Sequence, residues 1–218
     1  MATPRREIKS RNSAWAQALA SFVATKTDIT PNQISIFSVW CGAFAFAAYA
    51  GYVYLPAKWH VLLPLFAIMG IQGRLICNLI DGMVAVEGGK KSAVGDIYNE
   101  FPDRLSDTLI LVGAGVAGGS CESVCLGFAA ALFAMFTAYA RVLGGAIGAT
   151  QRFLGPMAKQ HRMALLTGAT ALCFLTPVWP NLNRWVFPLT LLLISVGSLF
   201  TVYRRVCYMA RELREKKQ

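Results

Sequence analysis

Six apolar runs of membrane-spanning length leave this chain few folds to choose from; they lie at about residues 34–55, 61–80, 105–121, 124–147, 163–180 and 185–206. Hydrocarbon offers backbone N–H and C=O groups no water, so segments of this kind must satisfy them internally, as helices. The connections are too short to hold a soluble head. The expectation is an all-α, polytopic membrane protein. An interfacial amphipathic segment occupies residues 1–30, six transmembrane helices fill 31–206, and a basic tail covers 207–218.

Charge orients the bundle. Of the 21 lysines and arginines, only Lys58 and Arg184 fall on one side. The other nineteen fall in the N-terminal tail, the 81–104 loop, the stretch from Arg141 to Arg162 and the C-terminal tail, with Arg74 counted among them as the end of the second span. The positive-inside rule makes that side cytoplasmic, in an inner or plasma membrane. A basic rim facing anionic headgroups accounts for the +10 net charge without any nucleic acid. Ile8, Trp15, Leu19, Phe22 and Val23 recur near helical spacing among Arg5, Arg6, Lys9 and Arg11, the pattern of a helix lying in the interface.

Several motifs carry less than they promise. Gly113-Ala-Gly115-Val-Ala-Gly118 matches GxGxxG, but the acid expected about 20 residues on is missing, so the glycines read as helix-packing surface. Gly115 with Gly119, and Gly144 with Gly148, also have GxxxG spacing. His60 and His161 are too few for a histidine metal site, and His60 sits with Tyr52, Tyr54 and Trp59 in what reads as an interfacial belt. The six cysteines, Cys41, Cys77, Cys121, Cys125, Cys173 and Cys207, form no CxxC pair and read as small packing residues.

The acids are different. Six of eleven lie between Asp81 and Asp107, at the edge of two apolar runs. Carboxylates beside a bilayer are expensive, which makes them functional candidates. On helices, Asn78 and Asp81 share a face at the end of the second span. Asp96, Glu100, Asp103 and Asp107 span an arc of only roughly 60° on the next helix. Carboxylate and amide oxygens of this kind suit Mg²⁺ or Mn²⁺. For Asp96 and Glu100 a charged helix start is the simpler reading. Pro102 requires that helix to begin near Asn99, a reasonable N-cap, or to bend there.

This spacing resembles the signature of the CDP-alcohol phosphatidyltransferase family, D-x2-D-G-x2-A-R-x8-G-x3-D-x3-D. Asn78 stands at the first acid, Asp81-Gly82 at the second acid and its glycine, Ala85 at the alanine, Gly95 at the later glycine, Asn99 at the third acid and Asp103 at the fourth. Thr30-Pro31-Asn32 is similar to the segment that opens many members. The departures are Asn78, Asn99 and Val86, the last at the family arginine. Asparagine ligates without charge, so a dinuclear site would be weakened; Asp107, and Asp96 or Glu87, stand where they could restore charge.

The resemblance implies transfer of a substituted phosphoryl group from a CDP-alcohol, often CDP-diacylglycerol, to an acceptor alcohol, with release of CMP, in phospholipid biosynthesis. It makes Asp103 the catalytic base and Asp81, Asp103, Asn78, Asn99 and Asp107 the ligands of Mg²⁺ or Mn²⁺. Gly82, Ala85 and Gly95 would let CDP approach the backbone. Arg141, Lys159 and Arg162, with Arg152 nearby, would hold the phosphate of a phosphorylated acceptor. A homodimer is compatible with this reading, and so is an inactive member that serves as a membrane scaffold. A small transporter fits less well, because the acids cluster at one membrane face and no paired broken helices are visible.

Overall fold

The structure, a computed structural model, describes residues 13–87, 89, 93–150, 154–176 and 178–216. Among these there are seven α-helices and no strands: α1 (Ala14–Lys26), α2 (Pro31–Tyr54), α3 (Leu62–Glu87), α4 (Gly95–Ala117), α5 (Cys121–Ala146), α6 (Lys159–Leu172) and α7 (Asn183–Glu215). They divide into two compact units, described residues 13–110 and 111–216, with the boundary inside α4.

In the first unit α2 packs along α3, and α1 also packs on α3. The Thr30-Pro31-Asn32-Gln33 segment is a capping box. Gln33 N–H donates to Thr30 Oγ1 (3.3 Å), Thr30 N–H donates to Gln33 Oε1 (2.9 Å), and Pro31 opens the first turn. The buried face of α2 runs Ser35, Ser38, Gly42, Ala45, Tyr49, Tyr52, alternating steps of three and four. Most of these residues are small, so backbones approach closely: a Cβ on Gly70 would lie 2.7 Å from the Cys41 carbonyl oxygen. The large apolar residues Phe37, Trp40 and Phe44 point outward. Packing by small residues with bulky ones outside is the arrangement expected in lipid.

In the second unit α5 and α6 both pack on α7. Ser120 caps α5 by accepting from Ser123 N–H (3.2 Å). The glycines of the GxGxxG-like run do pack helices. A Cβ on Gly115 would sit 2.8 Å from the Ser123 carbonyl oxygen, and one on Gly127 would sit 2.9 Å from that of Leu111. The GxxxG reading holds only for the first member of each pair. Gly119 (φ 71°) and Gly148 (φ 77°) instead lie just past helix ends, in the left-handed conformation.

Among the described residues four helices, α2, α3, α5 and α7, are long and apolar enough to cross a membrane. α4 carries its acids between Asp96 and Asp107, and α6 has 14 residues, about 21 Å, extended by a 3-10 turn at Cys173–Leu175. Pro102 lies inside α4, which starts a turn earlier at Gly95, so Asn99 is not its cap. On α1, Ala16 and Ala20 are the buried contacts, against Leu79, Ile80, Met83 and Val84, while Trp15, Leu19 and Phe22 face outward. Ile8 and the four basic residues around it lie outside the described residues. Cys121 and Cys125 are exposed rather than packed.

Candidate functional site

Each unit buries its own polar centre. In the first unit the buried charged side chains among the described residues are Arg74, Asp81, Asp103 and Asp107. The helical repeat explains their meeting. Arg74, Asn78 and Asp81 stand at i, i+4 and i+7 on α3, and Asp103, Ser106 and Asp107 at i, i+3 and i+4 on α4. Small residues bring the backbones together here as well; a Cβ on Gly42 of α2 would lie 2.9 Å from Ser106 Cα.

Arg74 is at the middle of this centre and fully buried. Its Nη2 lies 3.1 Å from Asp103 Oδ1 and 2.6 Å from Asp107 Oδ1, and its Nε donates to Ser106 Oγ (3.3 Å). Asn78 Nδ2 lies 3.2 Å from each oxygen of Asp103. Asp81 Oδ2 accepts from Ser35 Oγ at 2.6 Å, a charge-assisted bond that ties α3 to α2. Asp103 and Asp107 are thus gathered on one guanidinium, Asn78 is joined to Asp103, and Asp81 is held from α2. Asn99 and Asp96 are exposed. Glu100 pairs instead with Arg104, one turn along its own helix. Gly82, Ala85 and Gly95 are half-buried. Among the described residues no three His, Cys, Asp or Glu side chains form a ready metal cage.

Arg74 corrects the reading that places it on the basic rim. A signal was present, since a lone arginine within an apolar run, spaced by four and seven from Asn78 and Asp81, is costly unless it finds a partner.

In the second unit the buried charged residues among those described are Arg162 and Arg205. Arg162 Nη1 donates to the Met157 carbonyl (3.1 Å) and to Thr137 Oγ1 (3.4 Å). Arg205 Nε donates to the Leu154 carbonyl (3.0 Å), and its Nη1 donates to the Thr137 carbonyl. These acceptors are neutral carbonyl and hydroxyl oxygens that orient the two guanidinium groups. The loop that supplies two of them is shaped by Gly155 at φ 108°. Beside it, Ala140, Arg141, Gly144, Thr150, Leu154, Arg205, Tyr208 and Met209 line a small surface pocket. Glu212 accepts from Thr150 N–H (3.0 Å) and Oγ1 (2.6 Å). Lys159 is half-buried, and Arg152 lies outside the described residues. Sequence reasoning missed Arg205. Nothing local separates it from Arg204, which is exposed and lies 6.0 Å from the Phe200 ring centroid.

No family model matches the chain. An uncharacterized protein of Aquifex aeolicus (strain VF5) is 26% identical over 215 residues, 97% of each chain. Among solved structures, the phosphatidylinositol phosphate synthase PgsA1 of Mycobacterium tuberculosis with CDP-DAG bound is similar with a TM-score of 0.65 at 16% identity, over 90% of this chain and 94% of that one. The same synthase in complex with manganese and citrate gives a TM-score of 0.67 at 19% identity, over 89% and 88%. At these identities the likeness is one of fold, and it runs nearly end to end.

Proposed function

We propose that the chain is an integral-membrane phosphotransferase that moves a substituted phosphoryl group from a CDP-alcohol, CDP-diacylglycerol first among them, to an acceptor alcohol and releases CMP, in phospholipid biosynthesis. The observation that carries this reading is the burial of Asp81 and Asp103 on α3 and α4, at the spacing of the CDP-alcohol phosphatidyltransferase signature. The chain-long fold likeness to a synthase seen with CDP-DAG supports it.

The acid centre suits a divalent cation in donor type and in charge. Three buried carboxylates outweigh one guanidinium, and buried charge of one sign is costly unless compensated. Asp81, with the oxygens of Asn78 and Asp103, would hold Mg²⁺ or Mn²⁺, and Asn99 and Asp107 complete the candidate set. Manganese is bound in one of the similar synthase structures. Such an ion, when bound, offsets charge on the diphosphate and the departing CMP. Asp103 takes the proton of the acceptor hydroxyl as general base. Gly82, Ala85 and Gly95 leave room for the nucleotide against the backbone.

Arg141, Lys159 and Arg162, joined by Arg205, receive a phosphate carried by the acceptor; guanidinium forks match phosphate oxygens two at a time. All six helices from α2 to α7 cross the membrane, with both termini and the acid centre on the cytoplasmic side. Residues 31–206 form the catalytic domain, between the interfacial segment 1–30 and the tail 207–218.

The test is CMP release from CDP-diacylglycerol by the purified chain, over phosphorylated and unphosphorylated polyol acceptors with Mg²⁺ and with Mn²⁺. Release with no CDP-alcohol and acceptor pair would end this reading. It would favour a second one, a membrane scaffold that keeps the fold, to which the ion pair between Arg74 and the candidate base Asp103 gives independent support.

A further inference from the structure

We propose that Arg74 is a built-in cation that stands in for one divalent ion, so that this chain binds a single Mg²⁺ or Mn²⁺ where a two-metal centre binds two. The inference rests on the phosphotransferase reading of the acid centre and specifies its metal content. Two-metal sites place their ions about 4 Å apart between bridging carboxylates. Here the Arg74 guanidinium takes a bridging place. One nitrogen, Nη2, lies within ion-pair distance of both Asp103 and Asp107, at 3.1 and 2.6 Å. Arg74 comes from the same face of α3 as Asn78 and Asp81, so the fold builds the cation into the ligand surface itself.

Charge points the same way. With Asp81, Asp103, Asp107 and Arg74 ionised, the buried charged side chains described in this unit carry a net of two negative charges. One divalent ion brings that to zero. A second would leave two buried positive charges, at the cost that unpaired charge carries away from water. The replacements at Asn78 and Asn99 fit this arithmetic. Two fewer carboxylates than the signature carries are what a site adapted to one ion fewer would show. Arg74 Nη1 is buried with no hydrogen-bond partner among the described residues. A guanidinium whose donors are incompletely used, yet which touches two carboxylates, is held there chiefly by its charge.

The role differs from that of a mobile metal. A guanidinium does not dissociate or exchange, and it fixes Asp103 and Asp107 in one geometry before any substrate arrives. The single exchangeable ion then belongs to Asp81, with the neutral side-chain oxygen of Asn78 and an oxygen of Asp103.

The test counts ions rather than turnover. The full chain in detergent is titrated with Mn²⁺, bound metal is measured by equilibrium dialysis, and the bound ion is examined by electron paramagnetic resonance. The parent is expected to hold one Mn²⁺ per chain, with the six-line spectrum of an isolated ion. Two ions per chain, a spin-coupled spectrum or no bound Mn²⁺ at millimolar concentration would each overturn the proposal. Arg74→Gln is expected to raise the count from one to two; a count that stays at one refutes the stand-in role. Should that variant fail to fold, Arg74→Lys keeps a cation at the same place; it is expected to remain at one ion, and a count of two refutes the proposal. A parent with two ions that still releases CMP sinks this inference alone. One ion with no CMP release sinks the transfer reading alone.

Discussion

Gly155→Ala is a demanding test of how the basic pocket is built. The residue sits at φ 108°, where a side chain is strained in any surroundings. An alanine Cβ would also lie 2.5 Å from Thr201 Cγ2 and 2.6 Å from Thr201 Oγ1. The backbone strain costs about 1–3 kcal/mol. Relieving the contact by turning Thr201 forfeits the hydrogen bond from Met157 N–H to Thr201 Oγ1 (3.1 Å), worth about 1 kcal/mol. The expected loss is about 2–4 kcal/mol of unfolding free energy. Gly168→Ala is the matched control. Its Cβ would meet nothing within 4 Å, and a helical Gly→Ala change gains about 0.5–1 kcal/mol. Both are measured by reversible unfolding in mixed micelles with increasing dodecyl sulfate. In G155A/T201A the steric part disappears while the φ strain remains, so the cycle should show a coupling of about 1 kcal/mol. Because Leu154 and Met157 supply the carbonyls that hold Arg205 and Arg162, Gly155→Ala should also weaken retention of a phosphorylated acceptor. Equal effects from the two alanines, or a Gly155→Ala variant as stable as the parent, would refute this account of the loop.

Reporter fusions after Gln218 and after Lys58 are expected to report opposite sides of the membrane; the same side for both would overturn the six-span topology. Mg²⁺ or Mn²⁺ should raise the thermal midpoint of the parent in detergent, since a ligand of the native state stabilises it, and Asp81→Asn should abolish the rise. Asp103→Asn should lower CMP release by about 10²- to 10⁴-fold, the usual loss on removing a general base. Asp107→Asn should act mainly on metal affinity, and N99D/D107N should recover the affinity lost at 107 if Asp107 compensates for Asn99. Full activity in Asp103→Asn would remove the proposed mechanism.

The helices were legible because hydropathy and period are local properties. The runs proposed for α2, α3, α5 and α7 differ from the observed helices mainly at their ends. The acidic stripe was legible for the same reason: on helices, residues three, four and seven apart share a face. Its inner end was the better read. Asp103 and Asp107 are buried, whereas Asp96 and Asn99, on the turns before them, are exposed. No rule of spacing along one helix says where the neighbouring helix stops covering it. Pro102 leaves two starts open for α4, because proline can be accommodated within a helix as well as at its first turn, and the surroundings decide which.

By itself the sequence determined that this chain must form apolar helices, that carboxylates and amides would gather near the ends of two of them, and that cations would cluster elsewhere. Tertiary structure decided which charges are interior. It buried Arg74 against Asp103 and Asp107, and it turned Arg205 toward the carbonyls of Leu154 and Thr137 while leaving Arg204 outside. The physical reason is that a charged side chain is driven inside by its partner, not by its own residue type. The partner here comes from another helix or loop, 29 residues away for Arg74 and Asp103 and 51 for Arg205 and Leu154. Periodicity along one segment names a face, and only packing names what that face meets.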